Sequence, residues 1–146
     1  MTLFARPMTY MNRSGYAVRC LLELHGIGPG GLLVVYDDVA LPLGRLRFRE
    51  RGGAGGHRGV ESIIESLRGE EFARLRLGIS PPETPSAEAP SAGVAAAEES
   101  DLAAFVLAPF AATEAADAEA MIERAAAAVG VWRDEGITPA MNRFNG

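Results

Sequence analysis

LLVVYDDVALPLGRLRFRERGGAGGHRGVESII, residues 32–64, is the stretch whose reading decides the fold. Its first five residues form an unbroken apolar run with β-branched side chains, the pattern of a central strand buried on both faces. Two acids, Asp37 and Asp38, stand at the carboxyl end of that run. Residues 44–51 then alternate strictly. Arg45, Arg47, Arg49 and Arg51 fall on one face and Leu46 and Phe48 on the other, as in a strand with one side in a core. A glycine-rich turn carrying His57 follows, and Val60, Ile63, Ile64 and Leu67 recur at the i, i+3, i+4, i+7 spacing of a helix. Strands alternating with helices point to a layered α/β domain.

Outward from this stretch, TLFA (residues 2–5) predicts a short strand, Pro7 a turn, and residues 14–25 a helix ended by Gly26. FARLRLGIS (72–80) predicts another strand, and an Ala-rich helix is expected over 113–132, ending near Gly136. Residues 81–100 hold Pro, Ala, Ser and Glu with almost no large apolar side chains, which predicts a flexible loop. A chain of 146 residues fits one domain, 1–146. No apolar run approaches the ~18 residues of a membrane span, and the start lacks a signal-peptide pattern, so a cytoplasmic protein is expected. The single cysteine, Cys20, falls among Val18, Leu21 and Leu22 and reads as a core thiol.

The net charge of −5 conceals an asymmetry. Residues 1–76 hold 11 Arg and 8 acids, whereas residues 77–146 hold 3 Arg and 11 acids, and the chain has no Lys. The first part is the candidate anion-binding part, and Arg suits bidentate phosphate binding. No acid shares the face of Arg45, Arg47, Arg49 and Arg51, and Arg74 and Arg76 alternate in the same way on the next predicted strand. Two neighbouring strands would then present a basic surface to phosphate.

In open α/β sheets ligands bind beyond the carboxyl ends of the strands, which makes Asp37 or Asp38 a candidate cleft residue; turn capping is the competing reading. The glycines around His57 let the backbone approach a ligand and open a helix whose free N–H groups attract anions. Their spacing fits neither a Walker loop nor a dinucleotide fingerprint, so no nucleotide cofactor is expected. His57 is read either as a hydrogen-bonding or acid/base residue or as a structural turn histidine. His25, before Gly26, reads as a solvated helix end. Two histidines without a closely spaced ligand set imply no metal site.

Four motifs stand in order: PMTYMNRSG (7–15), VVYDDVALPLG (34–44), GGAGGHRG (52–59) and FARLRLGIS (72–80). Together with FVLAPF and the terminal AMNRFN, they resemble the bacterial peptidyl-tRNA hydrolase family over nearly the whole chain outside 81–100. The resemblance implies a three-layer α/β/α fold with a mixed, mostly parallel central sheet, and metal- and cofactor-free hydrolysis of the ester between peptide and tRNA. It implies that Asn12 binds near the scissile ester and helps place water, that Tyr10 lines the same site, and that Asp37 orients a catalytic histidine. His57 would sit beside the peptide portion, and Arg49 and Arg76 would grip a tRNA phosphate. Arg58 stands where the family has a tRNA-contacting asparagine, and Ala40 where an acid is common. A counterpart of the family's opening strand and helix, with its GNPG … RHN segment and catalytic histidine, is not found before Met1. The expectations are a monomer with tRNA as partner, little hydrolysis by this chain, and an exposed edge beside LLVVY. A non-catalytic RNA-binding relative and an inactive fragment are the alternative readings.

Overall fold

A computed structural model of the chain describes residues 1–81 and 104–146, so the loop read over 81–100 lies, apart from Pro81, outside the described residues. The elements are α1 (Ser14–His25), β1 (Leu33–Pro42), β2 (Leu46–Arg49), α2 (Arg58–Leu67), β3 (Ala73–Ser80), α3 (Ala115–Glu135) and α4 (Ile137–Phe144). The class is α/β with a mixed sheet. Contacts gather these elements into two compact units, each discontinuous in sequence: Met1–Val34 with Glu50–Ala73, and Val35–Arg49 with Arg74–Gly146.

The first unit is built on α1 packed against α2. Gly15 sets their approach: a Cβ there would lie 2.0 Å from the Ser62 carbonyl oxygen, so only glycine lets the two backbones come this close. The Gly15 N–H also donates to Ser62 Oγ at 3.0 Å. α1 ends at Gly26 in the left-handed conformation, φ 63°, as its sequence predicts. α2 buries Val60 and Ile63 from the predicted stripe. The sharp turn before α2 uses Gly55 and Gly56, at φ 58° and 84°.

Two expectations for this unit are corrected. Cys20 is exposed, not buried, because the buried face of α1 is the one carrying Ser14, Gly15 and Leu22, and Cys20 projects from the opposite side with Tyr16 and Leu24. TLFA forms no strand. A strand exists only where a neighbour completes its ladder, and the described strands pair among themselves, leaving Phe4 77% exposed.

In the second unit the strand order among the described residues is β1-β3-β2. β2 and β3 run antiparallel, with Leu46 opposite Leu77, Arg47 opposite Arg76, Phe48 opposite Leu75 and Arg49 opposite Arg74. The alternation in residues 44–51 comes out as read: Leu46 and Phe48 are buried while Arg47 and Arg49 are exposed. Phe48 and Leu75 are fully buried, each contributing about 1.5–3 kcal/mol by leaving water. α4 packs on β2 through an edge-to-face pair of Phe48 and Phe144, ring centroids 6.4 Å apart. The Asn145 side chain accepts from the Phe48 N–H at 2.6 Å and donates to the Phe48 carbonyl at 3.0 Å, acting as one more rung along β2. α3 buries only Ala118, Met121, Ala125 and Ala128, a narrow stripe of mostly small side chains. The separate helix α4 lies beyond the expected elements; Gly136, at φ 95°, divides it from α3.

Among the described residues β3 is the middle strand and β1 has one strand neighbour, so the run 32–36 is not enclosed on both sides and Val35 remains 48% exposed, the exposed edge expected beside LLVVY. β1 also continues past the acids to Pro42, held by a Leu43 N–H to Ser80 carbonyl bond of 2.7 Å and a Ser80 Oγ to Val39 carbonyl bond. Asp37 and Asp38 therefore lie within a strand and not at its end.

Candidate functional site

In the first unit, Met11–Arg13 forms a single 3-10 turn whose residues are held by an Arg13 N–H to Tyr10 carbonyl bond of 2.9 Å and a Ser14 Oγ to Met11 carbonyl bond of 2.8 Å. Gly59 gives this turn room: a Cβ there would lie 2.5 Å from Met11 Sδ. The result is a surface pocket of about 490 Å³ lined by Tyr10, Met11, Asn12, Arg13 and Arg58. Two guanidinium groups, an amide and a phenol with no carboxylate among the lining residues suit a ligand rich in acceptors or negative charge. The start of α2, which bears Arg58, adds the positive end of a helix dipole.

His57 is the N-cap of α2. Its Nδ1 accepts a hydrogen bond of 3.2 Å from the Val60 N–H, satisfying one of the helix's orphan donors. That bond places the proton of the neutral ring on Nε2. In this tautomer Nε2 is the ring's donor. The structural-turn reading of His57 therefore has a definite content. His25 is exposed at the last turn of α1.

In the second unit, the two adjacent acids have different environments. Asp38 accepts from the Ala40 N–H at 2.7 Å through Oδ1 and from Arg76 Nε at 2.6 Å through Oδ2, and both side chains of that ion pair are 16% exposed. Local capping is thus part of what Asp38 does. The Asp37 side chain, next along the strand and half-buried, makes no hydrogen bond or ion pair to another described residue. Burial pushes the Tyr36 phenol above the ordinary tyrosine range; Arg76 opposes this, Asp38 adds to it, and Arg74 opposes it by charge and by a hydrogen bond.

The basic surface is narrower than the alternation of β2 and β3 implies. Arg47 and Arg49 are exposed, but Arg74 is fully buried, and Arg76 is tied to an acid of β1. The reason is the strand order: with β1 beside β3, Tyr36 and Asp38 reach the β3 arginines. An acid of β1 therefore joins the β3 arginines, while no ion pair is seen for Arg47 or Arg49 among the described residues.

Tyr10, Asn12 and Arg58 come together in one pocket, with His57 at the same helix end, all in the first unit; Asp37, Arg49 and Arg76 belong to the second. Sequence reasoning missed Arg13 as a pocket residue, although it adjoins Asn12, and missed the Tyr36–Arg74 and Asp38–Arg76 pairings, for which strand order was needed. Among the described residues no group of three or more His, Cys, Asp or Glu side chains could hold a metal ion, and no helix is long and apolar enough to cross a membrane.

The family model described as peptidyl-tRNA hydrolase matches residues 1–146. A peptidyl-tRNA hydrolase of Synechococcus sp. (strain JA-3-3Ab) is 45% identical over 96% of this chain, and one of Thermus thermophilus is 43% identical over 99% of it. The crystal structure of peptidyl-tRNA hydrolase from Acinetobacter baumannii matches 96% of the chain with a TM-score of 0.78 and 29% identity. The chain spans 56% of the Synechococcus relative, 71% of the Thermus relative and 64% of the Acinetobacter chain. With these matches and the Asn12 pocket in view, the chain belongs to the peptidyl-tRNA hydrolase family.

Proposed function

We propose that this chain binds peptidyl-tRNA and hydrolyses the ester that joins the peptide to the tRNA, as a single domain, in the cytoplasm, as a monomer and without metal or cofactor. The observation that carries the reading is the pocket of Tyr10, Asn12, Arg13 and Arg58, an acid-free cavity whose donors suit the acceptor-rich 3′ end of a tRNA. Asn12 positions the ester and the attacking water, and Tyr10 offers a face for a terminal base. Arg58 contributes donors only, so whatever it meets must accept. Arg49 and Arg76 bind backbone phosphate. Asp37 supplies a half-buried carboxylate, without a side-chain partner among the described residues, that can accept from a donor of the substrate.

His57 acts on the donor side: as the cap of α2 with Nε2 as its donor, it hydrogen-bonds substrate oxygen. A positioned base is typically worth ~10²–10⁴-fold in rate, so the rate of this chain reads out whether one is in place. The alternative reading is a tRNA-binding relative without hydrolysis. Release of tRNA from labelled peptidyl-tRNA by the purified chain, compared with its Asn12→Ala variant, separates the two.

A further inference from the structure

We infer that Asp38 is a positioning residue for the phosphate contact made by Arg76, an inference that rests on the tRNA-binding reading above. An arginine acting on phosphate is most effective when its planar fork is already oriented, because less freedom is then lost on binding. Asp38 supplies that orientation with both carboxylate oxygens engaged. Oδ1 is fixed by the Ala40 backbone N–H two residues along the strand, and Oδ2 takes Arg76 Nε at 2.6 Å. With both oxygens engaged the carboxylate's rotation is restricted, and with it that of the guanidinium it binds. Nε is only one of the five arginine donors, and the terminal nitrogens of Arg76 make no hydrogen bond to another described residue. The bond therefore fixes the fork while leaving its open end for an anion. The site is not neutralised by this acid alone: Arg74 interacts with Tyr36 in the same cluster, and Arg47 and Arg49 stand opposite Arg76 and Arg74 on β2.

Simple charge counting gives the opposite expectation. Removing Asp38 deletes a negative charge beside a phosphate-binding arginine, which by Coulomb attraction alone strengthens tRNA binding. Positioning predicts weaker binding. The sign of the effect decides between them.

The test measures the Kd of an uncharged tRNA for the full chain over a range of salt concentrations, with unfolding curves for each variant. Variants are Asp38→Asn, Arg76→Ala and the pair together. Expected is that Asp38→Asn weakens binding about 3- to 10-fold and lowers the salt slope, that Arg76→Ala weakens it at least as much, and that Asp38→Asn has no further effect once Arg76 is alanine. Asp38→Glu keeps the charge but shifts it by one methylene. It should also weaken binding, and it replaces Asp38→Asn in the comparison if that variant does not fold. Weakening by Arg76→Ala combined with tighter or unchanged binding in Asp38→Asn and Asp38→Glu overturns the positioning role while leaving tRNA binding intact. Equal losses from Asp38→Asn with and without Arg76 also overturn it, showing a general structural effect. Failure of the unsubstituted chain to bind tRNA in a salt-dependent way removes the functional reading and this inference with it.

Discussion

Replacing Gly15 by alanine places a methyl carbon 2.0 Å from the Ser62 carbonyl oxygen and 2.5 Å from the Ser62 carbonyl carbon. Both obstacles are backbone of α2, so no side chain can swing aside. Ordinary contact begins near 3.4 Å, and α1 and α2 must separate by about 1.4 Å to reach it. Overpacking of this kind costs typically 1–3 kcal/mol. The bond from Gly15 N–H to Ser62 Oγ at 3.0 Å would stretch with it, adding about 1 kcal/mol. A total of about 2–4 kcal/mol corresponds to a fall in Tm of roughly 4–16 °C for a chain of this size. The displaced helix also carries Arg58 and is capped by His57, so the proposed tRNA binding at the Asn12 pocket should weaken even well below the new Tm. Thermal and urea unfolding followed by circular dichroism measure the first effect, and tRNA titration the second. A loss below about 0.5 kcal/mol would refute the claim that Gly15 sets the approach of α1 to α2.

Other consequences of the packing can be checked by the same unfolding measurements. Asn145→Ala leaves the Phe48 N–H and carbonyl without their side-chain partner, and a loss of about 1–3 kcal/mol is expected; an unchanged midpoint would show that water replaces both bonds fully. Gly130→Ala, in the interior of α3 where a Cβ meets nothing within 4 Å, should raise stability by about 0.4–1 kcal/mol; a destabilised variant would mean that this face of α3 is occupied.

Local pattern makes α1, α2, β2 and β3 legible because each is specified by its own side chains: the apolar stripe of α2, the alternation of β2, and the stop at Gly26. What pattern does not supply is which strand stands beside which. A buried-looking run such as LLVVY suggests a central strand, yet β1 has one strand neighbour among the described residues, and strand order is a property of the whole sheet. The same gap explains the arginines. Periodicity puts Arg74 and Arg76 on a common face, but whether they meet phosphate or Tyr36 and Asp38 depends on β1 lying beside β3. Cys20 reads wrongly because a helix with apolar residues around most of its circumference does not reveal which side packs. The pocket residues Tyr10, Asn12 and Arg58 are legible from their motifs. The capping bond of His57, which decides what its imidazole can do, requires coordinates.

Release of free tRNA from labelled peptidyl-tRNA by the purified chain tests the proposed function most directly, with circular dichroism establishing that each protein is folded and titration establishing that it binds tRNA. Expected is release above the spontaneous rate, lowered by about tenfold or more in Asn12→Ala while tRNA affinity stays within a few-fold, because the phosphate contacts of the arginines remain. Release no faster than the spontaneous rate from a folded, tRNA-binding chain, or a rate indifferent to the substitution, would contradict it.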